Sequence, residues 1–136
     1  MSTGHDLLSA PVRARFMRLA HAGDLLPEPC RQPVVGEAGA EGLGTRVRFQ
    51  FDVQDGRVRS IRFRAYGCPW TLATCEWLAE RLEGREWPVT GLGEPTDWAA
   101  ALTIPLERLG RLLVVEDALK AALGAGSTHE KPRSHV

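Results

Sequence analysis

The stretch RVRFQFDVQDGRVRSIRFRAYGC, residues 46–68, decides the fold. Val47, Phe49, Phe51 and Val53 alternate with Arg46, Arg48, Gln50 and Asp52, the period of two that a half-buried strand requires. Asp55-Gly56 marks a hairpin turn. Ile61, Phe63 and Ala65 carry the alternation through a second strand, Val58 to Tyr66. Register follows from the faces. A two-residue loop would set Phe51 against Ser60 and Gln50 against Ile61, mixing them. A three-residue loop, Asp55 to Arg57, sets Phe51 against Ile61, Phe49 against Phe63 and Val47 against Ala65, which keeps one face apolar. The other face then carries Arg46, Arg48, Arg62 and Arg64. Arg48 faces Arg64 there, at a small cost unless something anionic covers the pair.

Outward from the hairpin the pattern turns helical. Pro69 suits the first turn of a helix running to about Glu83 and closed by Gly84. Leu72, Cys75, Ala79 and Leu82 form its apolar face, with Trp70, Ala73 and Trp77 beside them. Thr96 is expected to cap a short helix, Asp97 to Leu102. A last helix is expected from near Pro105 to just before Gly124, burying Leu106, Leu109, Leu112, Leu113, Val115, Ala118, Leu119 and Ala122. Upstream, Ser9 caps a helix predicted to reach Ala22, with Val12, Phe16, Leu19 and Ala20 on one stripe. Three prolines in LLPEPCRQP make residues 25–33 a connector. Val34-Val35 suggests a short strand, and GEAGAEGLG, residues 36–44, reads as a glycine-rich loop. Segregated strands and helices give an α+β domain, a small antiparallel sheet packed on one face by helices.

Composition narrows the function classes. The 136 residues suit a single domain: an N-terminal helix and connector over 1–34, a core over 35–124 and a flexible tail over 125–136. Seventeen basic residues balance seventeen acidic ones, which argues against a dedicated nucleic-acid binder. There is no apolar run long enough for a membrane span and no secretory leader, so a cytoplasmic protein is expected. Three cysteines without a leader read as free thiols.

Of these, Cys68 stands where chemistry is favoured, between a strand end and a helix start. Backbone N–H groups and the positive end of the helix dipole stabilise a thiolate there, for metal ligation, sulfur carriage or nucleophilic attack. The alternative is a small hydrophobe in a tight turn. Cys75, seven residues on, lies about 10 Å along the same helix and reads mainly as core. Cys30 sits in the connector. There is no Cys-x-x-Cys, no P-loop and no histidine spaced with a cysteine for zinc, and no acyl-transfer triad can be assembled. The sequence therefore points away from an enzyme. A thiol enzyme or redox sensor using Cys68 and Arg111 ranks last, because no partner base is visible.

The hairpin ending IRFRAYGC, the helix PWTLATCEWLAERLEGRE and the terminal helix RLLVVEDALKAAL together resemble the IscU/NifU N-terminal scaffold family of iron–sulfur cluster assembly, over about residues 35–124. The resemblance implies an α+β fold and a site for a [2Fe–2S] cluster, iron or zinc, built from three cysteines with a nearby Asp and in some members a His. The second of those cysteines falls on Cys68. The first falls near Leu43, its Asp near Thr45, and the third near Arg111, with Gly110 in place of the His. TIPLERL, residues 103–109, replaces the family's Leu-Pro-Pro-Val-Lys chaperone-binding segment. Because Leu and Arg do not ligate iron, Cys30, Cys75 or a second subunit would have to complete a site around Cys68. Arg111 would instead favour its thiolate. The resemblance thus implies an iron–sulfur assembly scaffold, with a cysteine desulfurase or other assembly proteins as partners. The alternative is a non-catalytic interaction module of the same fold, with no cofactor.

Overall fold

The hairpin forms in the expected register. In the computed structural model, which describes residues 8–28 and 32–130 (side chains to residue 125), strands β2 (Thr45–Gln54) and β3 (Arg57–Tyr66) pair antiparallel. Phe51 faces Ile61, Phe49 faces Phe63, Val47 faces Ala65 and Arg48 faces Arg64. The loop differs from the expected one. Asp55 and Gly56 alone make the turn, at φ 55° and 73°, the left-handed pair of a type I′ hairpin. Val53 pairs with Val58 and Asp52 with Ser60, so a bulge at Arg59 takes up the extra residue. The apolar faces decide the register, and turn and bulge adjust to it.

The sheet has a third strand, β1 (Val34–Ala40), antiparallel to β2. The glycine-rich stretch is therefore a strand over its first half, followed by a 3₁₀ turn at Glu41–Leu43. The glycines have a packing reason. A Cβ on Gly36 would lie 2.2 Å from the backbone nitrogen of Ala122 and 2.3 Å from the carbonyl oxygen of Ala118. Both belong to helix α4 (Leu109–Glu130), which lies directly on the strand.

Helix α2 (Pro69–Leu82) runs through the middle and is buried on most sides. Trp70, Ala73, Cys75, Leu78, Ala79 and Leu82 join Phe49, Phe51, Ile61 and Phe63 of the sheet and Leu112, Val115, Ala118, Leu119 and Ala122 of α4 in one core. Helix α3 (Pro95–Leu102) starts two residues before the expected Asp97, because Glu94 and Asp97 form a reciprocal capping box. A 3₁₀ turn, Leu106–Arg108, leads into α4. Helix α4 does not stop before Gly124 but continues to Glu130. Leu106 and Leu113, expected inside, are exposed. No helix among the described residues is long and apolar enough to cross a membrane.

The N-terminal segment departs most from expectation. Ser9 caps helix α1 and Pro11 occupies its first turn, but α1 ends at Phe16 (Ala10–Phe16), and Phe16 is exposed. The competing interaction is a sheet edge. His21 accepts from the N–H of Phe63 (3.0 Å), and Gly23 donates to the Phe63 carbonyl (2.8 Å). An unpaired strand edge offers a row of donors and acceptors, and residues 21–23 satisfy part of it. Residues 84–87 close its beginning, through Val58 to Arg85 (2.8 Å) and Gly84 to Val58 (2.7 Å).

His21 also anchors the segment to α2. Its backbone N–H donates to one oxygen of Glu76 (2.9 Å) and its Nδ1 lies 2.6 Å from the other, while Nε2 lies 3.2 Å from Glu83. Glu76 is 1% exposed. Burial alone would lower the His21 pKa. The hydrogen bonds and charges of Glu76 and Glu83 override it and hold it above 6.5. The chain then crosses the outer sheet face: Asp24 bonds Arg64 (2.9 Å) and Arg48 (3.4 Å), and Leu25 donates to Gln50 (2.8 Å).

Candidate functional site

The β3–α2 junction is built by three successive constraints. Gly67 allows the chain to pass close to α2, where a Cβ would lie 3.2 Å from Thr71 side-chain atoms. Cys68 takes the extended conformation of a helix cap, at φ −85° and ψ 169°. Pro69 starts the helix, and Leu72 makes its first bond back to the Cys68 carbonyl (3.1 Å).

The Cys68 thiol is free and partly exposed, with Sγ 3.4 Å from the Thr71 hydroxyl. Burial pushes its pKa up. Against that stand the Thr71 hydroxyl, the backbone N–H groups of Thr71 and Trp70, and the charge of Arg111. The second group wins, and the thiol titrates below 9.0. A partly exposed thiol that ionises readily can act as nucleophile, ligand or sulfur carrier.

The other cysteines do not join it. Cys75 is fully buried among core side chains, and desolvation, then the charge of Glu76, pushes its thiol far up. It serves as a packed hydrophobe, so the core supplies the physical reason against an accessory ligand there. Cys30 lies outside the described residues. Arg111, in the first turn of α4, lies near enough for its charge to favour the Cys68 thiolate.

Pairing of Ala40 with Thr45 and of Arg46 with Tyr66 brings the β1–β2 turn and the β3–α2 junction to one end of the sheet. Leu43, in that turn, is 83% exposed, whereas Thr45 is 4% exposed. The described residues hold no group of three or more His, Cys, Asp or Glu side chains able to bind a metal ion. A cluster would find one thiolate, a leucine and a guanidinium here, and that donor set does not fit it.

One side chain at this end, Arg108, escapes a reading of the sequence. Arg108, at the close of the 3₁₀ turn, places its guanidinium carbon 4.4 Å from the centre of the Trp70 ring, a cation–π contact. The Nε atoms of Arg108 and Arg111 are both buried without a hydrogen-bond partner. Their three-residue spacing, at the start of an expected helix, was the available signal. The arginine face of the sheet is largely neutralised. Glu37 pairs with Arg46 (2.9 Å) and Arg48 (3.0 Å), and Asp24 with Arg48 and Arg64. Arg64, by hydrogen bond and charge, holds the Asp24 carboxyl below its usual range.

Comparison with known proteins gives a consistent set of similarities. The sequence model of the NifU-like N terminal domain matches residues 12–131. The chain is 30% identical over 89 residues to the iron-sulfur cluster assembly scaffold protein IscU of Escherichia coli, covering 65% of this chain and 70% of that one. It is 27% identical over 99 residues to iron sulfur cluster assembly protein 2, mitochondrial, of Saccharomyces cerevisiae, covering 71% of this chain and 64% of that one. It therefore spans less than two thirds of that mitochondrial relative's length. Among solved structures, a putative iron-sulfur cluster assembly scaffold protein for the SUF system from Fervidobacterium islandicum superposes with a TM-score of 0.65 at 16% identity, covering 89% of this chain and 99% of that chain. The N-terminal part of a NifU-like protein from Brucella abortus gives 0.61 at 12% identity, covering 90% and 94%. These two likenesses establish the α+β fold.

Proposed function

The chain belongs to the NifU-like N-terminal domain family, and from that premise we propose that it is a scaffold-like protein of iron–sulfur cluster assembly whose Cys68 carries sulfur. The observation that carries this reading is the single ionisable thiol at the start of α2, beside Arg111 and without companion ligands among the described residues. The step is a sulfur transfer. The Cys68 thiolate attacks the outer sulfur of a donor persulfide, R–S–SH. The donor's S–S bond breaks and R–S⁻ leaves, and Cys68–S–SH retains the proton. Nothing is oxidised or reduced overall. The donor partner is a protein that presents a cysteine persulfide, such as a cysteine desulfurase. The cluster is the product of the later steps, built from iron and the sulfur that Cys68 delivers, on ligands that a second chain supplies. Free thiols suit a reducing compartment such as the cytoplasm.

The test is anaerobic purification with assays for iron, zinc and acid-labile sulfide, together with peptide-level mass spectrometry after treatment with a small-molecule persulfide. Wild type is expected to gain about 32 Da, one sulfur atom, on the Cys68 peptide, and Cys68→Ala to gain none there. Stoichiometric iron and sulfide lost in Cys68→Ala would instead make the chain a cluster holder in its own right. Absence of both sulfur and metal would favour a second reading, a non-catalytic interaction module. The Leu43 and Arg111 positions speak for that reading, and under it Cys68→Ala would leave partner binding intact.

A further inference from the structure

We propose that Arg108 and Arg111 form an anion subsite adjoining Cys68 that holds the terminal sulfur of a Cys68 persulfide. This rests on the sulfur-carrying reading and specifies what the site accepts. The first support is a charge imbalance. Arg15, Arg46, Arg48 and Arg64 each meet a carboxylate. Arg108 and Arg111 meet none among the described residues, although both are half-buried and both have a buried Nε without an acceptor. A guanidinium cannot shed its proton, and a partly desolvated charge without a counter-ion is costly. One thiolate offsets one of the two.

The second support is placement. Arg111 acts on the Cys68 sulfur from the α4 side. Arg108 is held at the same junction by its stack on Trp70, the second residue of α2. Once the Cys68 persulfide gives up its proton, the negative charge lies about 2 Å out from Sγ, away from the N–H groups of the helix start. A second cation at the same junction suits that longer anion. The same pair repels iron or zinc cations, which accounts for the poor fit of a metal where the resemblance would place one. The arginines thus turn a position expected to ligate metal into one that selects anionic sulfur.

The test reads charge selectivity at Cys68 directly. Full-length protein is alkylated separately with iodoacetate, an anion, and iodoacetamide, its neutral analogue, and the Cys68 peptide is followed by mass spectrometry. The iodoacetate-to-iodoacetamide rate ratio is expected to fall about fivefold in Arg111→Gln and in Arg108→Gln, and in wild type at high salt. Arg111→Lys is expected to retain most of it. A loss of packing alone would alter both reagents together and leave the ratio unchanged. The persulfide gives the second readout: the added mass of about 32 Da should be lost faster to a neutral phosphine in both glutamine variants, where the persulfide is less held as its unreactive anion. A ratio indifferent to both substitutions and to salt overturns the subsite even if wild type takes up sulfur. A ratio that responds while Cys68 never gains sulfur overturns persulfide as the occupant and, with it, the carrier reading.

Discussion

Gly36 and Gly56 look alike in the sequence and answer to different physics. Gly56 sits in open space at φ 73°, so only backbone strain opposes a side chain. Gly56→Ala should cost about 1 kcal/mol in urea denaturation. Gly36 has no room, because its Cβ would overlap the α4 backbone. Gly36→Ala should therefore cost at least about 3 kcal/mol, since strand and helix must separate. Equal losses at the two positions would refute this account. His21 supplies a titratable contribution. Its pKa in the folded protein lies above 6.5, so its charged contacts contribute fully below the unfolded value and are lost as pH rises through the folded one. The melting temperature should decline over that interval in wild type. The step should be absent in His21→Gln, which hydrogen-bonds without titrating. His21→Ala should cost about 3 kcal/mol, because it removes the charged partner of the buried Glu76 and leaves only the backbone N–H of residue 21.

At the scale of elements, alternation in residues 46–66 makes the hairpin, its register and its arginine face legible in the sequence. The same reading finds only the start of β1, Val34-Val35, and loses the rest because glycine hides strand propensity. Gly36 serves α4, about 85 residues later, and no local pattern reports so distant a partner. The predicted helix through Ala22 fails similarly, since the edge of β3 outcompetes local periodicity over residues 17–23. Amide hydrogen exchange can check that edge. Phe63 and Gly23 should be protected in wild type, and both should exchange faster in Asp24→Asn, which releases the crossing segment from Arg48 and Arg64. Unchanged protection would show that the backbone bonds and His21 suffice without Asp24. Of the candidate site, the cap, the proline and the thiolate can be read from Gly67-Cys68-Pro69. The Arg108–Trp70 stack cannot, because it joins elements 38 residues apart.

Taken whole, the molecule separates its two described thiols by accessibility. Cys75 is wholly buried, while Cys68 lies at the surface end of the same helix. Under native conditions a neutral alkylating agent should label Cys68 promptly and Cys75 only at the rate of global opening. Labelling of Cys75 should therefore accelerate with urea along the unfolding curve, whereas Cys68 should change little. Comparable native rates would mean that α2 opens locally.

The anchoring of residue 21 to residue 76 also sets a clock. The two positions are 55 residues apart. At about 5–20 residues per second, a ribosome takes roughly 3–11 s to make the second after the first. The N-terminal segment lacks its strand edge until Phe63 is made, and its glutamate until the interval ends. Pro27, Pro29 and Pro33 suit such a wait, because a chain that lacks those amide donors is a poor recruit for premature pairing with a neighbour's nascent strands.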